Sequence, residues 1–264
     1  MEILGYIASA LIGISLGLIG GGGSILTVPV MVYLFGVSPL LATSYSLFIV
    51  GSTSLVGAIN NYRNGLVNMK AALFFGASSI LTVFITRKFI VPAIPQNIIT
   101  IGEFTVTSAF LTMVLFGILM LLASSSMIRS KSSPETEQEN AGNLNIIKLF
   151  GYGISIGLVT GFLGAGGGFL IIPALVFLVR LPMKKAIGTS LLIIAMNSLI
   201  GFTGDIGHFN IDWKFILTIT LIAVAGIFMG GFIGKKIPGQ KLKKGFGWFV
   251  LVMGIYIIAR EVLK

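Results

Sequence analysis

The chain has no cysteine, one histidine and only eight acidic residues among 264. Without cysteine there is no disulfide framework, no thiolate metal site and no iron–sulfur cluster. The apolar stretches hold no paired carboxylates, no histidine cluster and no activated nucleophile, so neither an enzyme nor a cofactor is expected. Charge of either sign is scarce, at 10% of residues, where a soluble domain carries about 25%.

What fills the chain is apolar sequence, 55% of residues with a mean hydropathy of +1.02. Residues 3–62, 149–179, 186–204 and 215–234 contain no Asp, Glu, Lys, Arg or His. Two of these runs exceed, and the other two roughly match, the ~20 residues a helix needs to cross the hydrocarbon core. They are continuously apolar, without the period-2 alternation of a β-barrel. The expected class is an all-α polytopic membrane protein in the cell (inner) membrane. The net charge of +10 falls between the spans, where it faces anionic lipid and orients the protein, so no nucleic-acid partner is expected. The first run lacks a basic leader and a small-residue cleavage end, and is not read as a signal peptide.

Two glycine clusters interrupt this sequence, Gly20-Gly21-Gly22-Gly23-Ser24 and Gly164-Ala165-Gly166-Gly167-Gly168, each followed by a proline, Pro29 or Pro173. Residues 3–36 are too long for one crossing, so helices over ~3–20 and ~24–36 form a hairpin at the first cluster. Spans follow at ~40–61, ~67–86 and ~104–127, the second closing on Arg87-Lys88 with Pro92 and Pro95 in the loop beyond. Residues 129–145 have the composition of a flexible polar linker. Beyond it the plan recurs, with a hairpin over ~146–164 and ~168–180 and spans at ~186–204, ~213–234 and ~245–260. The expected organisation is therefore an N-terminal repeat (1–128), a cytoplasmic linker (129–145) and a C-terminal repeat (146–264). Each repeat is a glycine-broken hairpin plus three transmembrane helices, giving 8–10 membrane segments in all, with the hairpin arms either crossing or re-entrant.

A gapless offset of 144 aligns residues 20–70 with 164–214, and 15 of these 51 positions are identical. They include Gly20/Gly164, Pro29/Pro173, Ala42/Ala186, Ser46/Ser190, Gly57/Gly201 and Lys70/Lys214, a register that hydrophobic composition alone does not produce. If each hairpin returns to its own side, three net crossings per half place the halves upside down relative to each other. Inverted halves put 13 Lys and Arg on one side and 5 on the other, whereas parallel halves give 10 and 8. The positive-inside bias favours inversion, with the linker and residues 235–244 cytoplasmic. Inverted repeats with broken helices at matching positions mark the substrate site of many secondary transporters.

The Gly-x-Gly-Gly-Gly…Pro pattern at Gly164–Pro173, its first copy ending in Ser24, and the Ala-x-x-x-Ser-Leu elements at Ala42–Leu47 and Ala186–Leu191 resemble the sulfite exporter TauE/SafE family, also called the toluene sulfonate uptake permease family. The resemblance spans nearly the whole chain. It implies a transporter of small sulfur oxoanions such as sulfite, sulfonates or sulfoacetate, in either direction, and it does not select the cargo. A homo-oligomer and a coupling ion, H+ or Na+, are compatible with that class. A passive anion channel of the same fold, or a carrier of another small organic anion, is the alternative reading.

An anion inside the membrane needs positive potential or hydrogen-bond donors. The turns and the spans after them carry no Lys or Arg, so backbone amides, helix N-termini and hydroxyls are expected to hold it. The candidate substrate-binding residues are Gly20, Gly22, Gly23, Ser24, Tyr45, Ser46, Gly164, Gly166, Gly167, Gly168, Thr189 and Ser190. Three plainer readings stand beside this one. The glycines would serve helix packing, and Ser46 and Ser190 would bond their own helix carbonyls. His208, beside Asp205, is read as a solvated loop histidine rather than half of a proton-coupling pair.

Overall fold

The computed structural model describes residues 2–21, 23–95, 97–101, 104–129, 146–164, 166–179, 181–234 and 239–263. The linker from 130 to 145, Gly22 and Lys235-Lys236 therefore lie outside the described residues.

The first half contains α1 (Glu2–Ile19), α2 (Ser24–Tyr33), α3 (Pro39–Arg63), α4 (Met69–Ala93) and α5 (Ser108–Arg129). The second contains α6 (Ile146–Leu163), α7 (Gly168–Leu178), α8 (Met183–Asp205), α9 (Trp213–Gly234) and α10 (Gly239–Val262). Among the described residues five helices, α3, α4, α5, α8 and α9, are long and apolar enough to cross a membrane. This is a polytopic α-helical membrane protein. The helix starts Ser24, Pro39 and Met69 each have a counterpart 144 residues on, at Gly168, Met183 and Trp213.

Local chemistry sets these boundaries. Pro39 opens α3 at a position where its missing N–H costs nothing. Asn68 Oδ1 accepts from Ala71 N (3.0 Å) to cap α4, and Asp212 Oδ1 accepts from Phe215 N (3.0 Å) to cap α9. The helix expected to stop at 86 instead runs on to Ala93, through a π-helical turn at Thr86–Ile90. Pro92 explains the widening: its ring crowds the Lys88 carbonyl and it has no N–H to give. The span expected from ~104 begins at Ser108, because β1 (Asn97–Ile101) and β2 (Phe104–Thr107) form an antiparallel hairpin first. Their Ile, Thr and Val residues suit a strand better than a helix end.

The centre of the molecule is α3 packed against α8, the two most buried spans. They run antiparallel. A side chain added at Gly57 would meet Leu191, and one at Gly201 would meet Leu47; Gly51 faces Leu199, and Gly188 faces Asn61. Outside this pair, α1 lies on α9, α6 on α4, and α5 on α10. Replacing every helix by the one five places along leaves this set of pairings unchanged. Lipid tails are as apolar as leucine, so tight backbone approach, rather than escape from water, holds such helices together. The outward faces of α4 and α9 expose Leu73, Leu221, Phe228 and Phe232 to the lipid.

Candidate functional site: two glycine turns beside a buried ion pair

Each turn joins a long helix to a short one. At the first, Gly20 is left-handed (φ +78°), and the Ser24 hydroxyl donates back to the Gly21 carbonyl at 2.7 Å. At the second, Gly164, Gly166 and Gly167 all have positive φ (64°, 65° and 71°), a run that side chains would strain. The turns touch. A methyl group placed on Gly21 would stand 2.7 Å from the Gly168 Cα, and one on Gly168 would stand 2.5 Å from the Gly21 Cα. The N-terminal ends of α2 and α7 therefore meet through bare backbone. Each end adds roughly half a positive charge and N–H groups with no partner inside its helix.

Each turn also rests on the central helix of the opposite half. Gly20 abuts Ile187 on α8, and Gly164 abuts Thr43 on α3, positions that correspond under the offset of 144. The Ser190 hydroxyl lies within reach of both the Ile187 carbonyl (2.8 Å) and the Gly20 carbonyl (3.2 Å). Its counterpart Ser46 is fully buried, and its hydroxyl has no partner among the described residues.

Tyr45 and Thr189 each accept a backbone N–H from the opposite half and keep their own O–H to donate. The Tyr45 hydroxyl accepts from Asp212 N (2.9 Å), and the Thr189 hydroxyl accepts from Asn68 N (2.8 Å). The two bonds are counterparts, each fastening the start of α9 or α4 to the opposite half. Tyr45→Phe and Thr189→Val should each cost about 1 kcal/mol of stability. The costs should add in the double variant, because the sites lie at opposite ends of the α3–α8 pair. Thermal unfolding of the purified variants in detergent checks this.

One expectation is overturned. A basic side chain does lie beside the turns: Arg87, expected at the membrane surface, has none of its side chain exposed. It lies on the buried face of α4, in line with Ser79 and Val83, and points to Asp205, which is 1% exposed; one bond joins Arg87 Nη1 to Asp205 Oδ2 at 3.1 Å. Arg87 Nη2 reaches the second turn, where a methyl on Gly164 would stand 2.6 Å from it. Arg87 Nε, Arg87 Nη2 and Asp205 Oδ1 have no hydrogen-bond partner among the described residues. The Ser198 hydroxyl stands beside Gly166 and the Thr160 hydroxyl beside Gly167, both buried and likewise unpartnered. Buried polar atoms are normally paired, so this turn has donors without an acceptor beside it, and the Asp205 carboxylate keeps one oxygen without a donor. The charges were misplaced because an apolar run ending in Arg-Lys reads as an interfacial stop. The clue was Asp205, whose counterpart in the aligned halves is the neutral Asn61.

Bare amides, two helix N-termini, a guanidinium with free N–H groups and hydroxyls suit a small, compact oxoanion better than a cation or an apolar solute. Residues 6–257 match the sulfite exporter TauE/SafE family. A probable membrane transporter protein of Xylella fastidiosa is 30% identical over 96% of this chain and 94% of its own length. The probable membrane transporter protein YunE of Bacillus subtilis is 29% identical over 98% of this chain and 93% of its own. No solved structure matches the chain. With the family covering nearly all of its length, the chain belongs to the sulfite exporter TauE/SafE family of membrane transporters.

Proposed function

We propose that the protein carries small sulfur-containing oxoanions, sulfite or a sulfonate, across the membrane by alternating access, with the anion held at the meeting point of the two glycine turns. The observation that carries this reading is the set of unpartnered donors around the second turn, above all Arg87 Nη2 beside Gly164. Two inverted repeats are part of the proposal. Supporting them are the shared 144-residue offset of helix starts, the exchange-symmetric pairings and the antiparallel packing of α3 on α8. Equivalent membrane-spanning helices that pack antiparallel about a two-fold axis require that axis to lie in the membrane plane. Two halves that can rock about it expose a midplane site to one side at a time. The linker and the 235–244 segment then face the cytoplasm.

The test is uptake into proteoliposomes with labelled sulfite, thiosulfate and methanesulfonate. Saturable uptake, with counterflow when the vesicles are preloaded, is expected. Non-saturable conductance would identify a channel instead. Gly23→Leu and Gly167→Leu proteins that fold and still transport at the wild-type rate would remove the turns from the site.

A further inference from the structure

Asp205 is the one anion that Arg87 holds among the described residues. Its carboxylate occupies one N–H face of Arg87, while Nε and Nη2 of the same guanidinium remain unpartnered. A structural Arg–carboxylate pair is commonly bidentate with its remaining atoms satisfied. This one is single and incomplete although almost wholly buried, an expensive arrangement for a pair whose only task is to join two helices. Nor does the fold require it. The aligned counterpart of Asp205 is Asn61, and carrying the offset of 144 on past the aligned range puts Gly231 opposite Arg87; α9 packs on α3 there as α4 packs on α8 here, without an ion pair.

We propose that Asp205 is an internal counter-anion which the transported anion displaces from Arg87, and that it takes up a proton as it lets go, so that one proton accompanies each anion. This rests on the transport reading above and adds to it a coupling ion and the residues that do the coupling. Arg87 keeps its charge throughout and exchanges the Asp205 carboxylate for the incoming oxoanion. A carboxylate stripped of its cation in a buried site is too costly to remain ionised, so a solvent proton adds to an Asp205 oxygen. The entry route is at hand. Asp205 ends α8, and the exposed His208 follows within the same turn, its backbone N–H donating to the Asp205 carbonyl at 3.1 Å. The other groups facing the carboxylate are few. From α3 the Ser44 hydroxyl adjoins it without a bond of good geometry. On α4, Lys88 is exposed, and its ammonium lies over the Phe84 and Phe89 rings at 5.4 and 5.7 Å. At this level α6 brings only Gly161 and Thr160, neither ionisable.

The test uses the purified full-length protein and equilibrium binding of labelled methanesulfonate between pH 6 and 8, where the ligand itself does not titrate. One proton taken up per anion weakens wild-type affinity about tenfold per pH unit as pH rises. Asp205→Asn, with nothing to protonate, is expected to bind with an affinity that changes less than twofold across the range. His208→Gln keeps the wild-type slope, because a relay changes the rate of proton entry and not the equilibrium. A wild-type affinity independent of pH, or an Asp205→Asn protein with the wild-type slope, overturns the coupling and leaves the substrate class standing. A slope lost in His208→Gln assigns the proton to the imidazole and overturns it too. If Asp205→Asn folds poorly, a pH-independent wild-type affinity or a slope lost in His208→Gln still overturns the coupling. Nitrate and acetate are run in parallel. A wild-type slope with one of these and no sulfonate binding keeps the coupling and discards the sulfur specificity. No binding of any of the three anions overturns both.

Discussion

Arg87→Ala is expected to destabilise the protein by about 3–5 kcal/mol, because it leaves the Asp205 carboxylate buried without its cation. The loss arises from the stranded charge, so removing the partner as well should recover most of it. Arg87→Met with Asp205→Leu replaces the pair by apolar groups of similar volume, a change that is often neutral or stabilising. Chemical unfolding in detergent of the two single variants and the double variant forms a cycle that checks the point. Transport should separate from stability. The double variant folds but no longer offers a guanidinium to the anion, and uptake is expected to fall at least 100-fold. A double variant that regains both stability and transport would reduce the pair to a structural clamp.

Gly168→Leu is expected to abolish transport, with a loss of at least 100-fold. The added side chain would enter the space held by the Gly21 backbone, whose Cα is 2.5 Å from the position of its first carbon. Backbone cannot step aside as a flexible side chain can, so the two turns must separate. Overpacking of this kind costs about 1–3 kcal/mol, and the separated helix N-termini no longer converge on one ion. Gly167→Leu adds a second penalty of about 1–2 kcal/mol, since the residue is left-handed. Gly231→Leu is the control. Nothing lies within 4 Å of a side chain placed there, and its effect on uptake and stability should be small. Uptake in proteoliposomes, with the folded fraction of each variant measured by size exclusion, checks the comparison.

Much of the architecture is written in the period and spacing of the sequence. The charge-free runs carry the helices, and the gapless alignment of the halves anticipates that Ser24 and Gly168 open equivalent short helices. It also puts Tyr45 with Thr189 and Asn68 with Asp212, pairs that the fold uses in two matching hydrogen bonds. Three features were not legible, each for a physical reason. Hydroxyls in apolar helices look alike whether or not they hold a helix start, so the bonds of Tyr45 to Asp212 and of Thr189 to Asn68 were not foreseen. The β-branched stretch at 97–107 is too short to stand out between long apolar runs. Arg87 sat at the limit of an expected span, but the helix runs on to Ala93 and Arg87 lies on the buried face it shares with Ser79 and Val83. That last difference moves the source of positive potential at the site from amides alone to amides with a guanidinium.

The most direct measurement of the central claim is the anomalous scattering of selenate, a heavy tetrahedral oxoanion, bound to the wild-type protein in the crystal. One peak within hydrogen-bond reach of Arg87 Nη2 and the Gly166–Gly167 amides is the expected result, absent in Arg87→Met with Asp205→Leu. Selenate found only against the exposed lysines at the membrane surface, under conditions where transport is saturated, would contradict the account.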